Sequence, residues 1–252
     1  MQLSASDVKV LASVFDPEAS TSRAEVIVNP SLPADRHIPN STLLAELQAQ
    51  EKSAIQLLEK YESSPSKDSS SRDNVYRSAL AILDQVATEN PNYASVLNNR
   101  AQLRRWYWGD RNLLVQRKGT AQPERKVAGA CTVKDLRQSV SLASPGKPTD
   151  AVSPKQGRLL AQAYTQLGAV YHAAAKDLET FDGAGEEVET SVDDLAGRTR
   201  EGLEEDASQF FYLGGLYGNE VAKALAIHTN PNAKLCGQIV KEAMRKELAL
   251  VS

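Results

Sequence analysis

Small residues recur at two kinds of helical position along this chain, each time in company with large apolar ones. In Ala161 to Ala173, AQAYTQLGAVYHA, Tyr164, Leu167, Gly168 and Tyr171 share one helix face, with the glycine lodged among bulky neighbours. Ala54 and Ala101 hold the matching place in Leu43 to Tyr61 and in Ala94 to Asp110, ASVLNNRAQLRRWYWGD. A second kind of segment carries Ala79-x3-Leu83 running on to Pro91, Thr132-x3-Leu136 to Pro145, and Ala207-x3-Phe211 to a Gly218-Asn219 turn. A small side chain lets two helix axes approach, and the large one fills the space beside the crossing. Two kinds of helix alternating three times leave few folds open, because no single hairpin of this kind can bury its own apolar face.

This alternation is the tetratricopeptide pattern, so the expected fold is all-α: a helical-hairpin array of three repeats, about 43–91, 94–145 and 158–218, closed by capping helices in 219–252. Residues 1–41 form a separate N-terminal segment in this reading, a short amphipathic helix followed by an extended linker. The steps from Ala54 to Ala79, Ala101 to Thr132 and Gly168 to Ala207 span 25, 31 and 39 residues. A standard repeat needs about 12 there, which predicts insertions of about 13, 19 and 27 residues, all at the turn between first and second helix. They should emerge along one edge of the array.

Ser6 to Phe15 places Val8, Leu11 and Phe15 on one helix face, and exposing them would forgo roughly 1.5 to 3 kcal/mol for each large side chain, so this helix is expected to pack on the repeats. Pro17 to Asn40 reads as linker, with His37 solvated. Ser63 to Ser71, SSPSKDSSS, reads as a flexible turn whose deletion leaves the fold intact. Asn232 to Leu250 reads as the long cap, with Leu235, Ile239, Ala243 and Met244 inward. The two cysteines, Cys131 and Cys236, are expected as reduced, packed thiols.

Charge is uneven along the chain although the net value is only −3, which singles out no class of partner. The central hairpin is basic: Arg100, Arg104, Arg105, Arg111, Arg117, Lys118, Arg125 and Lys126, interleaved with Trp106, Tyr107 and Trp108. Arginines with aromatics suit nucleic acid, but packed repeat helices need aromatics too, and no nucleic-acid partner is expected. Asp177 to Asp206 carries twelve acids and two arginines. It should be mostly solvated, with a short helix near Val188 to Leu195, and opposite charge favours its meeting the basic hairpin across the insertion edge. No apolar run approaches the ~18 residues of a membrane span, so a soluble cytoplasmic monomer is expected.

Nothing in the chain marks an enzyme. It has no phosphate-cradling glycine loop, HExxH, CxxC or nucleophile elbow, and His172 and His228 lack metal-ligand spacing, so neither cofactor nor metal is expected. The expected activity is to hold a protein or peptide partner in a groove formed by the first helices. Its candidate residues are Gln48, Glu51 and Ile55 in the first repeat, Asn98, Asn99, Gln102 and Arg105 in the second, and Gln162, Thr165 and His172 in the third. Side-chain amides suit this task, since each offers donor and acceptor to a peptide backbone. The alternatives are a structural adaptor that self-associates through Leu235, Ile239 and Ala243, which size-exclusion behaviour over a concentration series separates from a monomer, and a co-chaperone.

The stretches VLASVFDPEAS, YASVLNNRAQLRRWYWGD and GNEVAKALAIHTNPNAKLCGQIVKEAMRKEL resemble the small three-repeat family named tetratricopeptide repeat protein 36, in a fungal-type member. The Asn98-Asn99-Arg100-Ala101-Gln102 and Asn230-Pro231-x-Ala233-x-Leu235-Cys236 runs carry the resemblance most closely. It implies a non-enzymatic binding protein with a loose association with tyrosine catabolism. Co-chaperone domains with these repeats grip a Glu-Glu-Val-Asp tail through a clamp of Asn, Lys and Arg. Asn99 fits the central Asn of such a clamp, but the third-repeat places hold neutral Gln162 and Gln166, and the first-repeat pair falls on Gln48 and Lys52. Without those cations the clamp mode is not expected.

Overall fold

The computed structural model describes residues 26–65, 68–147 and 149–231. The helices expected at Ser6 to Phe15 and Asn232 to Leu250, with the inward residues assigned to them and Cys236, lie outside these residues.

The described chain is all-α apart from one small sheet: α1 (Ser41–Glu62), α2 (Ser69–Glu89), α3 (Ala94–Trp108), β1 (Val115–Arg117), α4 (Pro123–Ala143), α5 (Pro154–Gly183), β2 (Val188–Thr190), a 3-10 turn (Asp193–Leu195), α6 (Arg200–Leu216) and α7 (Glu220–Thr229). Each helix packs on the next in sequence, and α3 also touches α5. Local chemistry starts most of them. Asn40 accepts from the Thr42 and Leu43 amides at the head of α1, and Ser153 with Gln156 forms a reciprocal capping box at α5, where Pro154 stands at the first helical position.

The small residues sit at the helix crossings. Ala54, Ala79, Ala101, Thr132 and Ala207 are all buried. Gly168 on α5 faces Phe211 on α6, and a Cβ at Gly168 would lie 2.6 Å from that ring. One core joins α1, α2 and α3 through Leu47, Leu83, Val86, Tyr93 and Leu97; a larger one joins α3 to α7 through Leu136, Leu167, Tyr171, Leu203 and Phe211.

The segments that follow α3 and α5 pair with each other. β1 and β2 run antiparallel with Val115 opposite Thr190 and Arg117 opposite Val188. Leu113, Leu114 and Val115 point into the larger core. Opposite charges then line up across the pairing: Arg117 with Glu186, Lys118 with Glu187, Lys126 with Glu189. Asp177, fully buried near the end of α5, accepts from the Arg111 guanidinium at 2.5 Å and from the Asn112 amide at 2.6 Å, which fixes the turn where Asn112 adopts a positive φ of 57°. Burial raises the Asp177 carboxyl, and Arg111 opposes that shift.

Three expectations need correction. Residues 188–195 form a strand and a 3-10 turn with Leu195 buried, because the alternation of Val188 and Thr190 serves a strand that β1 is placed to pair. Asp177 belongs to α5 rather than to a solvated acidic loop. In the serine-rich tract, Asp68 accepts from the Ser71 amide at 2.7 Å and caps α2, whose first turn is Ser69 to Ser71. Deleting Ser63 to Ser71 would thus remove a cap worth about 0.5–2 kcal/mol as well as a helical turn.

The linker is also less loose than expected. Val28 makes a parallel bridge to Val152, the Arg36 guanidinium donates to the Ser144 carbonyl, His37 Nε2 lies 3.1 Å from the Leu142 carbonyl, and Ile38 is buried in the first core. Residues 26–40 therefore strap the end of α4 and the start of α5 to the entrance of α1. Cys131 is a free, half-buried thiol. No helix among the described residues is long and apolar enough to cross a membrane.

Candidate functional site

Helices α1, α3 and α5 carry every groove residue expected from the sequence, and the structure divides them into two sets. One set is spent on holding the helices together. Glu51, a buried carboxylate on α1, accepts from the Tyr93 hydroxyl at 2.6 Å, the Ser95 hydroxyl at 2.9 Å and the Asn99 amide at 2.8 Å. Asn98 is buried and accepts at its side-chain oxygen from the Gln166 amide at 2.8 Å. Gln166 in turn accepts from Arg105, which is held at 2.7 and 2.8 Å by Asp110. A continuous polar ladder thus runs from α1 through α3 to α5. Glu51, Asn99, Asn98 and Arg105 are its members, Asn98 reaching Asn99 at 3.5 Å. Thr165 is turned elsewhere: its hydroxyl donates to the Ala161 carbonyl and accepts from Asn219 at the head of α7.

The other set faces outward. Gln102 and Ile55, with Asn99 of the ladder beside them, line a cavity of about 160 Å³ among α1, α2 and α3, together with Ala54, Ala79, Leu83, Leu103, Leu58 and Trp106. Gln102 and Gln162 are exposed, Gln48 and His172 half-buried. The cavity's apolar walls escaped notice in the sequence because Leu58 and Trp106 read as packing residues. Trp106 does pack, edge-on against Tyr61 with its indole N–H to Glu62, yet one side of it stays free for the cavity.

Glu51 is the most consequential charge here. Burial lifts its pKa above the ordinary carboxylate value of 4.5, with the Tyr93, Ser95 and Asn99 donors pulling the other way. Tyr93 is raised above the usual phenol range by burial and by the Glu51 carboxylate. A carboxyl whose folded pKa is raised contributes stability that is complete below its unfolded value and declines as pH climbs through the folded one. Glu51→Gln does not titrate, so its stability relative to the wild-type protein should increase as pH rises from about 4.5 and then level off. Urea denaturation from pH 4 to 8 measures this. A pH-independent difference would show that Glu51 is no more burdened folded than unfolded.

The basic cluster is largely matched. Arg100 and Arg104 converge on Asp135, with Arg100 also reaching Asp84; Arg105 meets Asp110; Arg125 lies over the Trp108 ring and donates to the Arg111 carbonyl. The aromatics are likewise engaged, Tyr107 stacking on Tyr76 at 4.1 Å between ring centres.

A mostly helical chain folded as consecutively packed helices, with one small antiparallel sheet and a polar seam under an apolar cavity, is the class these features define. The chain belongs to the family of the L-tyrosine degradation gene cluster protein hmgX of Aspergillus fumigatus, with 37% identity over 256 residues that cover 98% of this chain and 93% of that protein. No family model matches the chain, and no solved structure matches it. Membership of the tetratricopeptide repeat protein 36 family is therefore corrected: the stretches that suggested it belong to a chain whose match runs nearly end to end with the hmgX protein.

Proposed function

We propose that this protein is a non-enzymatic scaffold of tetratricopeptide-type hairpins that holds a polypeptide partner on its α1–α3–α5 face, in the service of L-tyrosine degradation. The observation that carries the reading is the cavity between α1 and α3. It is large enough for one apolar side chain of a partner, and it is bordered by the exposed amide of Gln102 and by Ile55, 44% exposed. Buried apolar anchors of that kind dominate the energetics of interfaces, and flanking amides fix the partner's backbone. Small residues buried where the helices cross, above all Gly168 against Phe211, support the repeat assignment. The printed name of the Aspergillus relative supports the process.

The test is growth of a deletion strain on L-tyrosine as sole carbon source, complemented by wild-type protein or by Ile55→Arg, which puts a charge into the cavity mouth. Failure of the variant to restore growth, with normal expression and helical signal, is expected. Full complementation would remove the cavity from the function.

The same geometry sharpens the expectation about chaperone tails. Asn99 already donates to Glu51, so a carboxylate brought to Asn99 would meet one that is already there. Fluorescence polarisation with a Glu-Glu-Val-Asp peptide should show no saturable binding up to about 100 μM, and micromolar binding lost in Asn99→Ala would restore the co-chaperone reading.

A further inference from the structure

A second cleft, of about 560 Å³, opens on the other side of α3, between α2 and α4, and no part of the proposed scaffold role uses it. Its walls are aromatic and aliphatic. Tyr76 and Tyr107 stack with an interplanar angle of 12°, Trp108 stands edge-on to Tyr107 at 4.9 Å, and Leu80, Ala128 and Val127 are among the aliphatic residues of the lining, with Val127 63% exposed. A cleft of this size with such a lining is in the range of small-molecule sites.

Its polar groups are unbalanced in one direction. Asp135 is buried and already accepts from Arg100 through Nε and Nη2, so it is shared by two guanidiniums. Arg104, which lines the cleft, gives Asp135 its Nη1 alone among the described residues; the guanidinium has further N–H donors to offer. The indole N–H of Trp108 is near enough to the Tyr76 hydroxyl to influence it but makes no hydrogen bond of normal geometry. The acids at the rim do not answer these donors: Asp73 is taken by the Tyr107 hydroxyl at 2.8 Å and by Arg77 at 2.9 Å, while Glu124 sits in the exposed first turn of α4. Surplus donors, one of them cationic, call for an anionic acceptor, and the stacked rings call for a flat aromatic group beside it.

We propose that the cleft between α2 and α4 is a binding site for a small aromatic carboxylic acid, its carboxylate on Arg104 and the Trp108 N–H and its ring against Tyr76 and Tyr107. The site is independent of the partner groove, so either can fail without the other.

Isothermal titration calorimetry on the full chain tests it with three probes: 4-hydroxyphenylacetate, its carboxamide, and cyclohexylacetate. The carboxylate with the aromatic ring should bind with a dissociation constant below about 1 mM, and the other two at least tenfold more weakly. Val127→Trp fills the cleft from the exposed side, away from the buried charges, and should weaken 4-hydroxyphenylacetate at least tenfold with unchanged helical signal, while Ile55→Arg in the groove leaves binding untouched. No binding by the wild-type chain, equal binding of all three probes, or indifference to Val127→Trp would each overturn the proposal.

Discussion

Asp135→Ala should cost this protein about 3–5 kcal/mol, more than any other single change to a charged residue. Asp135 is 2% exposed and is the shared acceptor for Arg100, at 2.5 and 2.7 Å, and Arg104, at 2.5 Å. Removing it leaves two guanidiniums between α3 and α4 with little solvent; Asp84, 48% exposed, can still meet Arg100 but has no bond to Arg104. The penalty is that of stranded cations and not the net worth of the ion pairs, which are themselves expensive to desolvate. Asp84→Ala is the comparison, since its pairing is half in water and should be worth less than about 1 kcal/mol. Urea denaturation midpoints decide between them. Equal effects of the two variants would mean that water reaches Asp135 freely.

The second large effect is expected at Gly129, a glycine inside α4. A Cβ built there would lie 2.2 Å from the Leu113 carbonyl oxygen and 2.9 Å from the Ser191 hydroxyl. Neither can easily yield, because Leu113, Leu114 and Val115 are buried in the core and Ser191 donates to that same carbonyl at 2.7 Å. Alanine should gain up to ~1 kcal/mol in helix propensity, yet forcing the insertion off α4 should outweigh it and leave a net loss of about 2–3 kcal/mol. At roughly 2–4 °C per kcal/mol for a chain of this size, the melting temperature should fall by about 5–10 °C. Gly183→Ala, whose added methyl meets nothing within 4 Å, is the control and should stay within about 0.5 kcal/mol. A Gly129→Ala protein as stable as that control would show that β1 is not pressed against α4.

Helix positions and their small-residue crossings were readable in the sequence because they depend on local periodicity: Ala54, Ala79, Ala101, Thr132 and Ala207 are buried as the spacing requires. That long connections follow α3 and α5 came from counting along the chain. What the insertions become did not, since a three-residue strand such as Val115 to Arg117 has no detectable period and exists through its partner at Val188 to Thr190. The groove shows the same limit. Periodicity puts Asn98 and Gln102 on the same helix within one turn, but whether an amide faces a partner or a neighbouring helix depends on what stands opposite, and Gln166 stands opposite Asn98. Asp68 as a helix cap was legible in principle, through an acid three residues before Ser71, but the surrounding serines concealed it.

The pairing of β1 with β2 bears on how the molecule comes apart. Arrays whose units touch only their neighbours in sequence can fray from an end, one unit at a time. Here residues 115–117 and 188–190 are hydrogen-bonded across more than seventy residues of chain, and residues 26–40 are tied to α4 and α5 at the other edge. Parting α6 from α5 strips β1 of its partner, and loosening α4 from α5 frees the strap. Loss of structure in this protein should therefore be a single cooperative event, with the amides of Val115 to Arg117 exchanging with solvent no sooner than those of the helices that flank them.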